Sequence, residues 1–282
     1  MSHLFDLPLE TLINITEFLS TKDILNLGLC SKYLRDILYA IKINDKVVFD
    51  KISGLNYFDS FTNAVYRKSG NVFSKSLCVL HWECEENLHS QLPNSLKSLN
   101  LGNCYNHSLP QLPDSLESLY LSCYYNKPLP QLSDSLKSLH LGWHYDHHLL
   151  QLPGSLESLH LGGYYNQPLP QLPDSLKSLH LGWHYDHHLL QLPDSLESLH
   201  LSGYYNQPLP QLPDSLKSLH LGWNYNHPLL QLPNSLKCLN LGYDYNYPLP
   251  QLPASLTYLK VWKKFRLPIL SPNITIVFFD LE

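Results

Sequence analysis

Glutamine recurs every 20 residues at Gln91, Gln111, Gln131, Gln151, Gln171, Gln191, Gln211, Gln231 and Gln251. Each of these opens a copy of Q-L-P-x-S-L-x-x-L-x-L-(G/S)-x-x-Y-(N/D)-x-x-L-(P/L). A degenerate copy precedes them over residues 76–82, and a partial copy follows over residues 272–278. Twenty residues cannot hold a strand, a full helix and two turns. Nor can one such unit bury enough apolar surface to offset the entropy of ordering it. The copies must therefore stack, each covering the open face of the next.

Within a unit, Leu96, Leu99 and Leu101 form an L-x-x-L-x-L core whose last two leucines alternate with the period of a strand. Gly102 lets the chain turn, and Pro110 and Pro113 favour an extended return. The expected solenoid is one parallel sheet of about ten short strands with proline-rich extended return arms, roughly 45–50 Å long at about 4.8 Å per strand. The composition follows from this unit: 63 of 282 residues are Leu and 21 are Pro, while charged residues make up only 15 %.

Nineteen Lys and Arg against 24 Asp and Glu, net −5, argue against a nucleic-acid binder that works through clustered basic residues. No apolar run approaches the roughly 20 residues of a membrane helix. The N-terminus lacks a basic segment followed by an apolar stretch, so no secretory signal is expected. Cys30, Cys78, Cys84, Cys104, Cys123 and Cys238 fit neither a disulfide framework nor a zinc site. They read as free thiols of an intracellular protein of the cytoplasm, with the nucleus open to it. No cofactor is expected, and the chain reads as a monomer.

The columns of the repeat divide by role. Tyr105, Tyr125, Tyr145, Tyr165, Tyr185, Tyr205, Tyr225 and Tyr245 read as core. The Asn column (Asn106, Asn126, Asn166, Asn206, Asn226, Asn246, with Asp146 and Asp186) reads as side-chain-to-backbone hydrogen bonding in a turn. On the outer strand face, Lys97, Glu117, Lys137, Glu157, Lys177, Glu197 and Lys217 alternate in sign until Lys237 breaks the order. This ladder supports register. The next outward column reads Asn100, Tyr120, His140, His160, His180, His200, His220, Asn240. Trp143, Trp183 and Trp223 stand just beyond the strand ends, alternating with Gly163 and Gly203.

Tyr120, the five histidines and the three tryptophans are the candidate target-binding residues, because aromatics concentrate binding energy at interfaces. Duplication is the competing explanation: residues 131–170 and 171–210 differ only at Ser133/Pro173, Gly154/Asp194 and Gly162/Ser202. With a reference pKa near 6.5, acidification is expected to weaken or invert any binding through these histidines. His144, His147, His148 and Asp146, repeated as His184, His187, His188 and Asp186, lie side by side rather than converging, so no metal site is expected.

These L-x-x-L-x-L units resemble leucine-rich repeats of the shortest type. The wording Tyr165-Asn166-Gln167-Pro168-Leu169-Pro170 resembles the FNIP repeat, with Tyr replacing the usual Phe. The resemblance implies a fold and says little of a ligand.

The first forty residues differ. Leu9, Leu12, Ile13, Thr16 and Leu19 lie at helical spacing after Pro8. Ile24, Leu25, Leu27 and Leu29 continue after a break that Ser20 or Thr21 can cap, and Tyr33, Leu34, Ile37 and Leu38 follow Ser31. Three short helices with so little core must dock on something. The run from Leu7-Pro8 to Phe18-Leu19, Asp23 ahead of the second helix, and Cys30-Ser31-Lys32-Tyr33 together resemble an F-box. With the repeats, this gives an expected α+β protein: a three-helix F-box over 1–40, a connecting and capping segment over 41–75, the solenoid over 76–260 and a C-terminal cap over 261–282. In the connecting segment, Val47-Val48-Phe49 reads as a strand and Tyr57 to Tyr66 as a short helix.

The F-box resemblance implies binding to the adaptor Skp1, and through it to a cullin-RING ubiquitin ligase. Leu7, Pro8, Leu12, Ile15, Phe18, Leu19, Ile24 and Leu27 are the adaptor-binding residues it implies. The chain would then be a non-enzymatic substrate receptor that brings its target to the ligase by proximity. Proteins combining these two parts resemble those of giant amoebal viruses and social amoebae, so a host-directed role is expected. The alternative is an interaction scaffold or decoy without ligase association. A third reading, an enzyme with its own catalytic cysteine, finds no segment long enough to form that domain.

Overall fold

The computed structural model describes residues 20, 23, 47–48, 62–66, 73, 76–83, 87–88, 91–267 and 272–279. Thirteen strands follow one another along the chain: β1 (Val47–Val48), β2 (Asn63–Tyr66), β3 (Val79–Trp82), β4 (Ser98–Leu101), β5 (Ser118–Tyr120), β6 (Ser138–His140), β7 (Ser158–His160), β8 (Ser178–His180), β9 (Ser198–His200), β10 (Ser218–His220), β11 (Cys238–Asn240), β12 (Tyr258–Trp262) and β13 (Thr275–Phe279). They form a single sheet in sequence order. Every pairing is parallel, and in the regular array each residue faces the one 20 positions on, as Ser178 faces Ser198 and His180 faces His200.

Two corrections to the sequence reading follow. Among the described residues the architecture is not α+β but an all-β parallel solenoid, with no helix among its elements. The three helices expected over 1–40 lie outside the described residues, apart from Ser20 and Asp23, where the Ser20 hydroxyl meets the Asp23 carboxylate at 2.6 Å. The sheet also has thirteen strands rather than about ten, because residues before the array join it. Residues 63–66, expected at the end of a helix, form β2, with Ala64 and Val65 buried. Pairing to β3 outweighs the local pattern there, since an open sheet edge rewards any segment that can satisfy its hydrogen bonds.

Each 20-residue turn is built the same way. Pro93 to Leu96 make a tight turn in which the Leu96 N–H donates to the Pro93 carbonyl at 3.0 Å, repeated at Leu116, Leu156, Leu176 and beyond. The strand follows, and a second turn brings the Tyr145 N–H to the Gly142 carbonyl at 3.1 Å. Leu96, Leu99 and Leu101 with their equivalents, and the whole Tyr column, form one continuous buried core. The tyrosine rings stack from turn to turn at 6.2–6.3 Å, nearly parallel.

The histidine rings on the opposite side of the sheet stand only 3.9–5.3 Å apart. Equivalent groups are thus closer on the outer strand face than in the core, so the turns fan out toward the arms and the strand face is concave. Fanning takes the arms out of backbone hydrogen-bond reach, and side chains bridge them instead. The Asn126 N–H donates to Asn106 Oδ1, the Asn166 N–H to Asp146 Oδ1 and the Asn206 N–H to Asp186 Oδ1, at 2.9–3.0 Å. Near the strand entry, the Ser195 and Ser215 hydroxyls donate to the Leu176 and Leu196 carbonyls at 2.7 Å. These inter-turn bonds satisfy backbone groups that would otherwise go unpaired.

Candidate functional site: the concave strand face and its aromatic rim

The third residue of each short strand points out of the core, because strand side chains alternate between faces. This rule places Tyr120, His140, His160, His180, His200 and His220 in one half-buried row. Tyr120 stacks on His140 with centroids 4.5 Å apart, and the imidazoles continue the stack. The row ends at Asn240, whose Nδ2 lies 3.4 Å from His220 Nδ1. Two residues before each row member, a column of small serines from Ser98 to Ser218 leaves this row standing proud, and the ion pairs Lys97–Glu117, Lys137–Glu117, Lys177–Glu157 and Lys217–Glu197 border it at 2.7–3.0 Å.

Burial and the neighbouring rings hold the histidines well below their ordinary pKa. His180 falls to about 3 and His200 to about 4, with burial the larger cause in each; burial also lowers His140, His160 and His220. The row is therefore neutral at pH 7, and His180 and His200 stay so in mild acid. For these two residues, titration thus lies below the pH 6.5 expected from the sequence. Stacked neutral imidazoles offer flat faces and ring nitrogens, not charge.

The three tryptophans lie beyond the strand ends, and two of them, Trp143 and Trp183, are tied to a glycine in the next turn, whereas Trp223 is followed there by Tyr243. A Cβ added at Gly163 would sit 2.5 Å from Trp143 Cδ2, and one at Gly203 would sit 2.7 Å from Trp183 Cδ2. Gly203 also has φ +46°, which a larger residue adopts only at a cost. For Trp143 and Trp183 the Trp/Gly alternation is thus steric: each of these two indoles lies over the glycine 20 residues on. Trp143 and Trp223 are 48 % and 52 % exposed, and Trp183 and Trp223 approach to 5.8 Å.

Sequence reasoning missed a second stack beside them. Tyr124, His144, Tyr164, His184 and Tyr204 follow one another at 4.9–5.2 Å. Trp143 meets Tyr164 edge-on, and Trp183 meets Tyr204 the same way, both at 6.1 Å. The signal was present as an alternating Tyr/His column 20 residues apart. These contacts also account for the histidines weighed as metal ligands. His144 is held in the stack, His147 Nε2 lies 3.2 Å from the Asn126 carbonyl, and Asp146 accepts from Asn166 and Gln167. Among the described residues, no group of three or more His, Cys, Asp or Glu is placed to hold a metal ion.

The eight residues expected to contact the adaptor, Leu7, Pro8, Leu12, Ile15, Phe18, Leu19, Ile24 and Leu27, lie outside the described residues.

A parallel single-sheet solenoid with leucine-filled turns and an aromatic concave face belongs to the leucine-rich-repeat class of protein-interaction rods. The FNIP repeat model matches residues 86–124, 125–164, 165–204, 205–244 and 230–264, more than half of the chain, which therefore belongs to the FNIP repeat family. The F-box domain model matches residues 4–45. No curated protein matches the chain.

Among solved structures, the chain is similar to CroV588, a giant-virus protein described as a novel circular LRR structure. The TM-score is 0.62 at 25 % identity, over 85 % of this chain and 42 % of that one. It is similar in fold to YopM from Yersinia enterocolitica WA-314, with TM-score 0.54 at 24 % identity, over 77 % of this chain and 54 % of that one. The chain thus spans about half or less of the length of these two proteins.

Proposed function

We propose that this protein is the substrate-recognition subunit of a Skp1–cullin-type ubiquitin ligase, its F-box holding the adaptor and its solenoid holding a target protein. The observation that carries the reading is the combination in one chain of an F-box match over residues 4–45 and a leucine-rich-repeat solenoid with an exposed aromatic face. F-box and leucine-rich-repeat proteins are typically adaptors or scaffolds, and the mechanism needs no catalytic residue: tethering raises the effective concentration of target near the ligase. Leu7, Pro8, Leu12, Ile15, Phe18, Leu19, Ile24 and Leu27 contact the adaptor. Tyr120, the row from His140 to His220, Trp143, Trp183 and Trp223 contact the target, with Tyr164 and Tyr204 completing the surface.

Co-expression with Skp1 tests the adaptor half. The expected result is a complex that survives size-exclusion chromatography and is lost in Leu7→Ala/Pro8→Ala, with unchanged circular dichroism of the solenoid. An intact, folded chain that elutes free of Skp1 overturns the reading.

A further inference from the structure

Charge is handled differently at the C-terminal end of the rod. Along the array, Lys97, Lys137, Lys177 and Lys217 each meet a glutamate. The alternation fails at Lys237, whose neighbour on the next strand is Thr257. From there on, Lys237, Lys260, Lys264 and Arg266 have no carboxylate within ion-pair distance among the described residues, in a chain of net charge −5. Two of these cations rest on aromatic rings: Lys260 Nζ lies 5.4 Å from the centre of Phe279, and Lys264 Nζ lies 5.0 Å from that of Trp262.

The same end holds two concavities that share Tyr243. One, of about 160 Å³, runs from Trp223 past Asn240 to Lys260 and Phe279. The other, of about 580 Å³, is walled by Tyr247, Trp262 and Phe265 with Lys264 and Arg266 at its mouth, and Asp244 is its one acid. The Tyr243 and Trp262 rings meet at 4.7 Å between them. The Trp262 indole N–H donates to no acceptor among the described residues.

We propose that this end of the solenoid is a docking site for a short acidic segment of a partner protein that carries aromatic side chains. Uncompensated cations beside aromatic walls select carboxylates for charge and rings for shape. A short peptide fits better than a nucleic acid strand. Apart from Lys127, the unpaired cations among the described residues cluster in the last turns, whereas the exposed aspartates Asp114, Asp134, Asp174, Asp194 and Asp214 line the arms of the rest of the rod and repel a long polyanion. The site meets the proposed target surface only at Trp223 and rests on that reading only in that the solenoid holds a protein; its test does not involve Skp1, so the two failures are distinguishable.

The test is fluorescence anisotropy of the full chain with a labelled ten-residue peptide of glutamates carrying two phenylalanines. The site predicts saturable binding that weakens with salt, falls at least tenfold in Lys264→Glu/Arg266→Glu and at least threefold in Lys264→Gln, and is unchanged in Lys127→Glu, a charge reversal elsewhere on the rod. The same peptide with glutamines for glutamates should bind at least tenfold more weakly. Absence of binding, equal loss in Lys127→Glu, or tighter binding of a 20-nucleotide oligo-dT overturns the proposal.

Discussion

The molecule carries two aromatic columns on opposite sides of one sheet, and they differ in almost every physical respect. The tyrosine column is fully buried and evenly spaced at 6.2–6.3 Å. The histidine column is half-buried and its spacing varies between 3.9 and 5.3 Å. Both recur because a 20-residue unit was copied. Recurrence therefore does not separate structure from recognition in this fold, but burial does. A ring that packs identically in every turn is architecture, while one whose packing varies and whose face meets solvent is free to meet a partner.

The sharpest way to break this comparison is to truncate one member of each column. Tyr165→Ala removes a fully buried ring from the middle of the stack and should cost about 3–5 kcal/mol in urea unfolding. Because neighbouring turns rely on each other, the loss should spread to them. His180→Ala should cost no more than about 0.5 kcal/mol. Equal destabilisation by the two would erase the distinction.

Tyr165→Phe refines the first result. Burial pushes the phenols up, Tyr145, Tyr185 and Tyr225 to about 12, yet among the described residues the Tyr145, Tyr165, Tyr185, Tyr205 and Tyr225 hydroxyls have no hydrogen bond of good geometry. At the ends of the column, the Leu88 and Leu229 N–H groups come within 3.4 Å of the Tyr105 and Tyr245 oxygens. In the middle the equivalent N–H groups, such as that of Leu149 beside Tyr165, make only a weak contact, so Tyr165→Phe should change stability by less than about 1 kcal/mol.

The inter-turn bridges give an effect well below that of Tyr165→Ala. Asn166→Ala removes the acceptor for the Asp186 N–H, a 3.2 Å bond, and should cost about 1 kcal/mol.

Acid gives a graded effect on the histidine side. The unfolded chain takes up protons near pH 6.5, whereas folded His180 and His200 resist until about pH 3 and 4. Their contribution to stability is complete above pH 6.5 and is lost as pH falls toward those values. The carboxylates of Glu117, Glu157 and Glu197, held low by their lysines, begin to lose their contribution only below their ordinary value of 4.5. A drop in urea midpoint between pH 6.5 and 5 therefore reads the imidazoles, and His180→Asn/His200→Asn should flatten it. The smallest change is expected from Lys177→Ala, because exposed pairs such as Lys177–Glu157 contribute little; its midpoint should match that of the intact chain.

Strand positions, the tyrosine core and the charge ladder were legible in the sequence because a strict 20-residue period places each residue at a fixed height and on a fixed face. The strand over residues 63–66 was not, since four residues without the leucine motif carry too little periodicity to outvote a helical pattern, and sheet pairing decided their state. The Asn column was read as bonding within a turn, but fanning of the arms redirects those side chains to the next turn. The Tyr124–Tyr204 stack was hidden because its members alternate between two residue types, so its period is 40 rather than 20. The depressed histidine pKa values arise from packing between turns, which a single repeat does not display.

The central claim is a division of labour between the N-terminal segment and the concave face. It is tested most directly by affinity purification from one host-cell lysate of the intact chain, Leu7→Ala/Pro8→Ala and His180→Ala/Trp183→Ala, with Skp1 and co-purifying target quantified together. The account predicts that the first variant loses Skp1 and keeps the target, while the second keeps Skp1 and loses the target. Loss of both partners in either variant, or retention of Skp1 in the first, would contradict it.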